Sequence, residues 1–242
     1  MKISGKKIAI TSTIENFEKA VATAKSAGLD AAHFATIEIQ PLDFTVSGRQ
    51  YDWVIFTSRN AVDFFVKKSG KGYFKGKKTG SIGGETSAAL EKCGIKSDFI
   101  PSEFNSQAFV KEAGIAYDFS GKKVLLPCSA ISGKNIADGL TALGAEIDRL
   151  FVYTAVKAQK SSSQIKEFMD NRPYRAILFS SPSSFKNYLE ITGEEGRAAL
   201  MESAAIAIGA QTADTIIKSG FNNVITSDKS SFESMVRTAS KL

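Results

Sequence analysis

An internal duplication restricts the fold of this sequence more than any other feature. Four pairs of segments correspond in order along the chain: Gly5–Ile10 with Gly121–Leu126, Gly28 with Gly144, Val54–Val62 with Ile177–Phe185, and Ile82–Ala88 with Ile208–Asp214. The offset within a pair stays between 116 and 126 residues. A near-constant offset over a chain of 242 residues indicates two copies of one structural unit.

Each copy alternates short apolar runs with segments of helical character. We expect strands at 8–10, 34–39, 53–56, 79–82, 124–126, 147–156, 176–179, 205–208 and 224–226. Helices are expected between these strands, for example from Glu15 to Ala27, where Gly28 ends the helix. Short apolar strands that alternate with helices indicate parallel sheets covered on both faces. The predicted fold class is therefore α/β.

Polar residues and glycines occupy the turns that lead from these strands into the next helices. They are Thr57, Ser58, Asn60, Gly83, Gly84, Glu85 and Thr86 in the first copy, and Ser180, Ser181, Ser183, Gly209 and Thr212 in the second. Ligands of parallel sheets bind beyond the carboxyl ends of the strands, and N–H groups at helix N-termini bind anions. Hydroxyl residues at such positions also cap helices without a ligand, which stabilises a helix by about 1 kcal/mol. Binding of an acidic ligand and simple capping both remain open.

Motifs for the common cofactors are missing from the sequence. It contains neither a G-x-x-x-x-G-K-[ST] phosphate loop nor a G-x-G-x-x-G turn after the first strand. His33 is the only histidine, and Cys93 and Cys128 lack the spacing of metal ligands. We therefore expect neither a metal nor another cofactor.

The chain is basic, with a net charge of +6 that comes in part from the lysine-rich segment 67–78. These lysines indicate a solvated surface, and they weakly favour an acidic small-molecule ligand. The sequence has no nucleic-acid-binding module, so we expect no nucleic-acid partner. It also has no apolar run of the roughly 20 residues that span a bilayer, and its start does not resemble a secretory leader. We expect a cytoplasmic protein without membrane association.

Five motifs follow one another along the chain: Val54–Val62, Ile82–Gly83, Val152–Thr154, Phe179–Ser183 and Ile208–Ala213. Together they resemble the uroporphyrinogen-III synthase family, over essentially the whole chain and in the family's order. The resemblance implies two similar doubly wound parallel-sheet domains. A two-stranded linker joins them, and the active site is in the interdomain cleft.

The family's linker changes the domain boundaries that duplication alone would suggest. A simple duplication predicts one boundary, near Ser120. The resemblance implies instead a discontinuous domain of residues 1–34 and 157–242, a second domain of residues 40–149, and linker strands at 34–39 and 150–156. The two linker strands correspond to each other at an offset of 116 residues.

The resemblance also implies a reaction. Family members are cyclising lyases that convert hydroxymethylbilane into uroporphyrinogen III, with loss of water and inversion of the last pyrrole ring. Unaided, the bilane closes to the uninverted isomer, so control of conformation is central to catalysis. The substrate is an octacarboxylate that the turns named above would bind without a cofactor. Tyr153 matches the family's linker tyrosine, the proposed general acid.

The resemblance also suggests how the protein works in the cell. Such an enzyme is expected to be a monomer that transiently contacts the enzyme supplying hydroxymethylbilane. The turns Thr11–Thr13 and Leu126–Ser129 lack arginines that many relatives carry, and Gly209–Thr212 departs from the family's Gly-Pro-Thr-Thr. A second interpretation is a two-lobed protein that binds an anionic small molecule without catalysing a reaction.

Overall fold

The computed structural model describes residues 5–242, which form ten strands and nine α-helices. The strands are β1 Lys7–Ile10, β2 Asp30–His33, β3 Ile37–Pro41, β4 Trp53–Phe56, β5 Lys78–Ser81, β6 Lys123–Ser129, β7 Glu146–Lys157, β8 Ala176–Phe179, β9 Ala204–Ala207 and β10 Val224–Thr226. The helices are α1 Ile14–Ser26, α2 Arg59–Ser69, α3 Gly84–Lys92, α4 Ser106–Ala116, α5 Asn135–Ala142, α6 Ser162–Asp170, α7 Pro182–Met201, α8 Ala210–Lys218 and α9 Phe232–Ser240. A short 3₁₀ helix covers Lys71–Phe74.

The chain divides into two compact units, each built around one five-stranded sheet. One unit combines the described chain up to Glu38 with Val156–Leu242, and its strand order is β10-β9-β8-β1-β2. The other unit is Ile39–Ala155, and its strand order is β3-β7-β6-β4-β5. Parallel pairing joins all five strands of the first sheet, β1, β2, β8, β9 and β10. It also joins β4, β5, β6 and β7 in the second sheet. The predicted α/β class with parallel sheets is confirmed.

Both faces of each sheet are buried, which explains the continuous apolar strands. In β4, Val54 and Phe56 pack into a cluster with α2 and α3, whereas Trp53 and Ile55 pack into a cluster with α4 and α5. The strands β1, β8 and β9 alternate in the same way between two clusters of their own unit. Successive strand residues point to opposite faces, so a strand covered on both sides needs apolar residues throughout.

Glycines end four of the helices at positions that repeat between the copies. Gly28, Gly94, Gly144 and Gly220 follow α1, α3, α5 and α8, with φ angles of +69°, +70°, +89° and +92°. A left-handed residue after the last turn closes a helix, and glycine adopts that conformation most easily. The predicted stop at Gly28 is confirmed.

The expected strand at 34–39 is wrong in its placement. The chain forms β2 over Asp30–His33 at the edge of one sheet, leaves that sheet, and joins the other sheet as β3 over Ile37–Pro41. Phe34 is buried in a core cluster, and the buried Thr36 hydroxyl donates to the Thr11 carbonyl at 2.9 Å. These tertiary contacts fix the break between the two strands. The strand expected at 147–156 lies within β7.

Candidate functional site

The ends of β4 and β5 place two predicted turns side by side in the Ile39–Ala155 unit. Phe56, the last residue of β4, pairs with Ser81, the last residue of β5, in a parallel register. Thr57 and Ser58 then lead into α2, and Gly83 leads into α3. Because parallel strands end at the same edge of a sheet, both turns lie at the carboxyl edge, where ligands of such sheets bind.

Tyr153 reaches the same edge because β7 is irregular at this point. Cys128 of β6 pairs with Phe151, but the next residue of β6, Ser129, pairs with Tyr153, so the register shifts by one residue. Val152 and Tyr153 are consecutive, yet both belong to the core cluster next to α2. In a regular strand they would point to opposite faces. The irregularity therefore directs Tyr153 towards the turn that follows β4.

The Tyr153 hydroxyl meets Ser58. The two hydroxyl oxygens are 3.0 Å apart, and either group can be the donor. The Ser58 Oγ also accepts the backbone N–H of Ala61 at 3.2 Å, which caps α2. A lone pair of Ser58 is thus occupied, and its hydroxyl hydrogen is available to the Tyr153 oxygen. The Tyr153 ring is only 9% exposed and lies 5.8 Å from the Phe64 ring, which holds the hydroxyl in place.

Gly83, at the start of α3, leaves room beside the backbone. It has an extended φ of −144°, which any residue adopts, and a Cβ built on it would have Phe104 as its nearest neighbour, 3.9 Å away. Neither backbone conformation nor packing therefore requires glycine here. A helix that begins at glycine has no capping side chain at its N-cap, so its first N–H groups are available to an acceptor.

Four further predicted residues occupy the first turn of α3 or of α2. Glu85 is exposed and is the acidic residue in the first turn of α3. Its charge stabilises the helix but opposes the binding of an anion at the same place. Thr86 is only 5% exposed, and Asn60, near the start of α2, is half-buried. Gly84, the first residue of α3, is exposed.

The other unit repeats this arrangement at the ends of β8 and β9. Ser181 caps α7 by accepting the Ser184 N–H at 3.0 Å, and its hydroxyl lies 2.9 Å from the Ser183 hydroxyl. Ser180 is half-buried just before it. Gly209 precedes α8 with an extended φ of −171°, and a Cβ built on it would be 3.7 Å from the Ser230 hydroxyl.

Thr212 in the first turn of α8 is more buried than these serines, of which Ser183 is exposed and the other two are half-buried. It is only 3% exposed, and its N–H donates to the Gly209 carbonyl at 3.1 Å. Of the two helices compared in each unit, then, α2 and α7 start with a serine that uses its hydroxyl as a cap, whereas α3 and α8 start with a glycine that cannot. The glycine-led helices offer the more available N–H groups.

Two further side chains of this unit, one beside a predicted turn and one in β7, were not singled out from the sequence. Phe104 lies beside Gly83, and Arg149 of β7 donates to the carbonyl and the hydroxyl of Ser132 at 2.8 and 3.1 Å. The Arg149 guanidinium also lies 5.2 Å from the centre of the Phe151 ring. The sequence could have indicated Phe104 as an aromatic residue in an otherwise polar turn. It could have indicated Arg149 as an arginine within a strand of mainly apolar residues.

The described residues offer neither a cluster of metal ligands nor a membrane-spanning helix. Within residues 5–242, no three histidine, cysteine, aspartate or glutamate side chains lie close enough to hold a metal ion. None of the helices that the structure describes is both long and apolar enough to cross a bilayer.

Comparisons with known proteins agree on one family. The family model described as uroporphyrinogen-III synthase HemD matches residues 18–237. The porphyrin biosynthesis protein HemD of Ruminiclostridium josui is 26% identical over 96% of this chain and 47% of its own length, so the chain spans about half of that relative. A putative uroporphyrinogen-III synthase of Methanocaldococcus jannaschii is 26% identical over 90% of this chain and 92% of its own length.

Solved structures show the same fold. The uroporphyrinogen-III synthetase of Helicobacter pylori superposes with a TM-score of 0.71, at 16% identity, over 97% of this chain and 98% of its own. A mutant uroporphyrinogen III synthase of Thermus thermophilus superposes with a TM-score of 0.56, at 15% identity, over 98% of both chains. The family model covers most of the sequence, and the chain therefore belongs to the uroporphyrinogen-III synthase family.

Proposed function

We propose that this protein converts hydroxymethylbilane into uroporphyrinogen III, with loss of water and inversion of the last pyrrole ring. Family membership over residues 18–237 gives the reaction class. The observation that carries the proposal is the Tyr153 hydroxyl, which lies 3.0 Å from Ser58 at the carboxyl edge of its sheet. A proton donor next to turns with available N–H groups suits a polyanionic substrate that must lose a hydroxyl group.

Tyr153 is the general acid in this proposal. As the C–O bond of the terminal hydroxymethyl group breaks, Tyr153 gives its proton to the departing oxygen, which leaves as water. Ser58 keeps its proton and stabilises the phenolate by donating a hydrogen bond to it, while the Ser58 oxygen still accepts the Ala61 N–H.

Ring closure restores the acid. The last pyrrole ring attacks the cationic carbon through its substituted position, and the resulting spiro intermediate fragments and recloses with that ring inverted. The closing carbon loses one proton, which returns to Tyr153, so the cycle produces uroporphyrinogen III and water. The protein's main task is to hold the substrate in the conformation from which inversion occurs.

The substrate carboxylates are bound in this proposal by the turns of both units. N–H groups at the starts of α3 and α8, next to Gly83, Gly84 and Gly209, are the principal donors. Hydroxyl and amide side chains add further hydrogen bonds: Thr57, Ser58, Asn60, Ser180, Ser181 and Ser183. Glu85 and Thr86 contribute through their backbone, because Glu85 carries the wrong charge and the Thr86 side chain is buried. Thr212 supports the turn instead, since its N–H donates to the Gly209 carbonyl.

The rest of the proposal concerns the working state of the protein. We propose that the reaction requires no metal or organic cofactor and takes place in the cytoplasm, where the free thiols of Cys93 and Cys128 are stable. The two units act as domains, linked by β3 and by the end of β7. The protein works as a monomer in transient contact with the enzyme that supplies hydroxymethylbilane.

The alternative, a protein that only binds an anionic small molecule, predicts a different product. Freshly generated hydroxymethylbilane is incubated with and without the protein, and the isomers formed are separated by chromatography after oxidation. The proposal predicts that uroporphyrinogen III predominates when the protein is present. If the protein leaves the product as the spontaneous isomer I, the proposed function is wrong and the binding role is favoured.

A further inference from the structure

Phe104 is an exposed aromatic side chain at the carboxyl edge of the Ile39–Ala155 unit. It is 68% exposed. A Cβ built on Gly84 would lie 3.6 Å from its ring, and one built on Gly83 would lie 3.9 Å from its Cβ. The ring therefore lies beside the start of α3, where the N–H groups of the first turn are available. Leaving a phenyl group this exposed contributes little to the stability of the fold.

The duplicated fold shows that this position does not require an aromatic residue. Gly83 and Gly209 correspond at an offset of 126 residues, and the same offset relates Phe104 to Ser230. The contacts correspond as well, because Ser230 is the nearest neighbour of a Cβ built on Gly209, at 3.7 Å. One copy of the turn thus carries a phenyl ring where the other carries a small polar side chain. The aromatic is a property of one site and not of the fold.

The segment around Phe104 is anchored on both sides. Before it, Ser102 donates to the Glu112 carboxylate from its N–H at 2.9 Å and from its hydroxyl at 2.6 Å. These two hydrogen bonds hold the pKa of Glu112 below its usual range. After it, the Asn105 side chain accepts the Ala108 N–H at 2.8 Å and caps α4. The ring is thus exposed on a backbone that is held by specific contacts.

We propose that Phe104 packs against the face of one pyrrole ring of the tetrapyrrole substrate, while carboxylates of that ring bind the N–H groups at the start of α3. This inference rests on the proposed function and names the contact that recognises a pyrrole ring. A pyrrole that carries two acidic side chains has an apolar, electron-rich face and a charged edge. An aromatic side chain next to a row of backbone donors complements both features.

The test compares Phe104→Ser, which copies the residue of the other unit, with Phe104→Tyr and Phe104→Leu. Ile115→Ser is the matched control, because Ile115 is 79% exposed on the same unit, near the far end of α4. For each variant, KM for hydroxymethylbilane, the fraction of isomer III and the affinity for uroporphyrin III are measured. Thermal melting checks that each variant is folded.

We expect Phe104→Ser to raise KM and to weaken uroporphyrin III binding about 3- to 10-fold, the range of one aromatic contact. Phe104→Tyr should retain wild-type values, Phe104→Leu should be intermediate, and Ile115→Ser should behave as the wild type. If the wild type makes isomer III and Phe104→Ser matches it in KM and binding, the inference is wrong while the proposed function stands. If the wild type makes no isomer III, the proposed function itself fails.

Discussion

The hydrogen bond between Tyr153 and Ser58 allows the acid role to be tested with a double-mutant cycle. Tyr153→Phe removes one hydroxyl and keeps the ring in the core cluster that contains Val152. The hydrogen bond of 3.0 Å that it removes contributes about 0.5–1.5 kcal/mol. For a protein of this size, a loss of 1 kcal/mol lowers Tm by about 2–4 °C. The variant should therefore stay folded at assay temperature.

The expected effect on the rate is larger than the effect on folding. A general acid contributes about 10²- to 10⁴-fold to a rate, but hydroxymethylbilane also loses its hydroxyl group without help. We therefore expect Tyr153→Phe to lower kcat for isomer III by roughly tenfold, below the usual range. Its affinity for uroporphyrin III should remain that of the wild type, because the removed group acts on the departing hydroxyl of the substrate.

Ser58→Ala tests whether Ser58 acts on kcat through Tyr153. It removes the contact to Tyr153 and also the N-cap of α2, which costs about 0.5–2 kcal/mol of stability. Ser231→Ala is the control for the second effect, since Ser231 caps α9 by accepting the Ser234 N–H at 3.1 Å. We expect Ser58→Ala to lower kcat in the wild type but not in Tyr153→Phe, and Ser231→Ala to leave kcat unchanged.

Two results would refute this reasoning. One is a wild-type rate of isomer III formation in Tyr153→Phe, which would show that positioning alone accounts for catalysis. The other is an equal loss of kcat from Ser58→Ala in both backgrounds, which would separate Ser58 from Tyr153.

Three further predictions concern the turn at the start of α3 and its support. Gly83→Val should raise KM at least tenfold, because the valine side chain blocks the backbone donors. The circular dichroism spectrum of the variant should match that of the wild type, and an unchanged KM would count against binding at this turn. Glu85→Gln should lower KM about twofold in low salt by removing a like charge from the carboxylate site, and a raised KM would contradict that placement. The folded-state pKa of Glu112 lies below its ordinary value of 4.5, so its stabilising effect is present above that pH and is lost as the pH falls through the folded pKa. The difference in Tm between the wild type and Glu112→Gln should therefore shrink on acidification, and a constant difference would exclude the Ser102 contact as its cause.

The sequence predicts most of the fold because local patterns and packing agree. Trp53–Phe56 is apolar at every position, and its strand is buried on both faces. Asp30–His33 was missed, since two alanines between polar residues have little strand propensity, and pairing with β1 determines its structure. Contacts outside the local sequence decide such segments.

The sequence predicts only part of the candidate site. The turns at Ser58 and Gly83 follow from the strand–helix pattern, but capping and binding look alike there until the hydrogen bonds are known. Tyr153 and Ser58 are 95 residues apart in the sequence, and their contact depends on a register shift between β6 and β7 that the sequence pattern does not predict. Phe104 becomes a candidate site residue only in the structure, where Gly83 and Gly84 lie beside its ring.

The central claim is that this protein inverts the last pyrrole ring of hydroxymethylbilane, and an isotope label tests it most directly. Hydroxymethylbilane labelled with ¹³C in the last ring is generated in metal-free buffer and incubated with the protein, and the product is analysed by NMR. We predict that the label appears at the position of an inverted ring, and that a chelator does not change the result. A label found only at the uninverted position, as in the reaction without protein, would contradict the account.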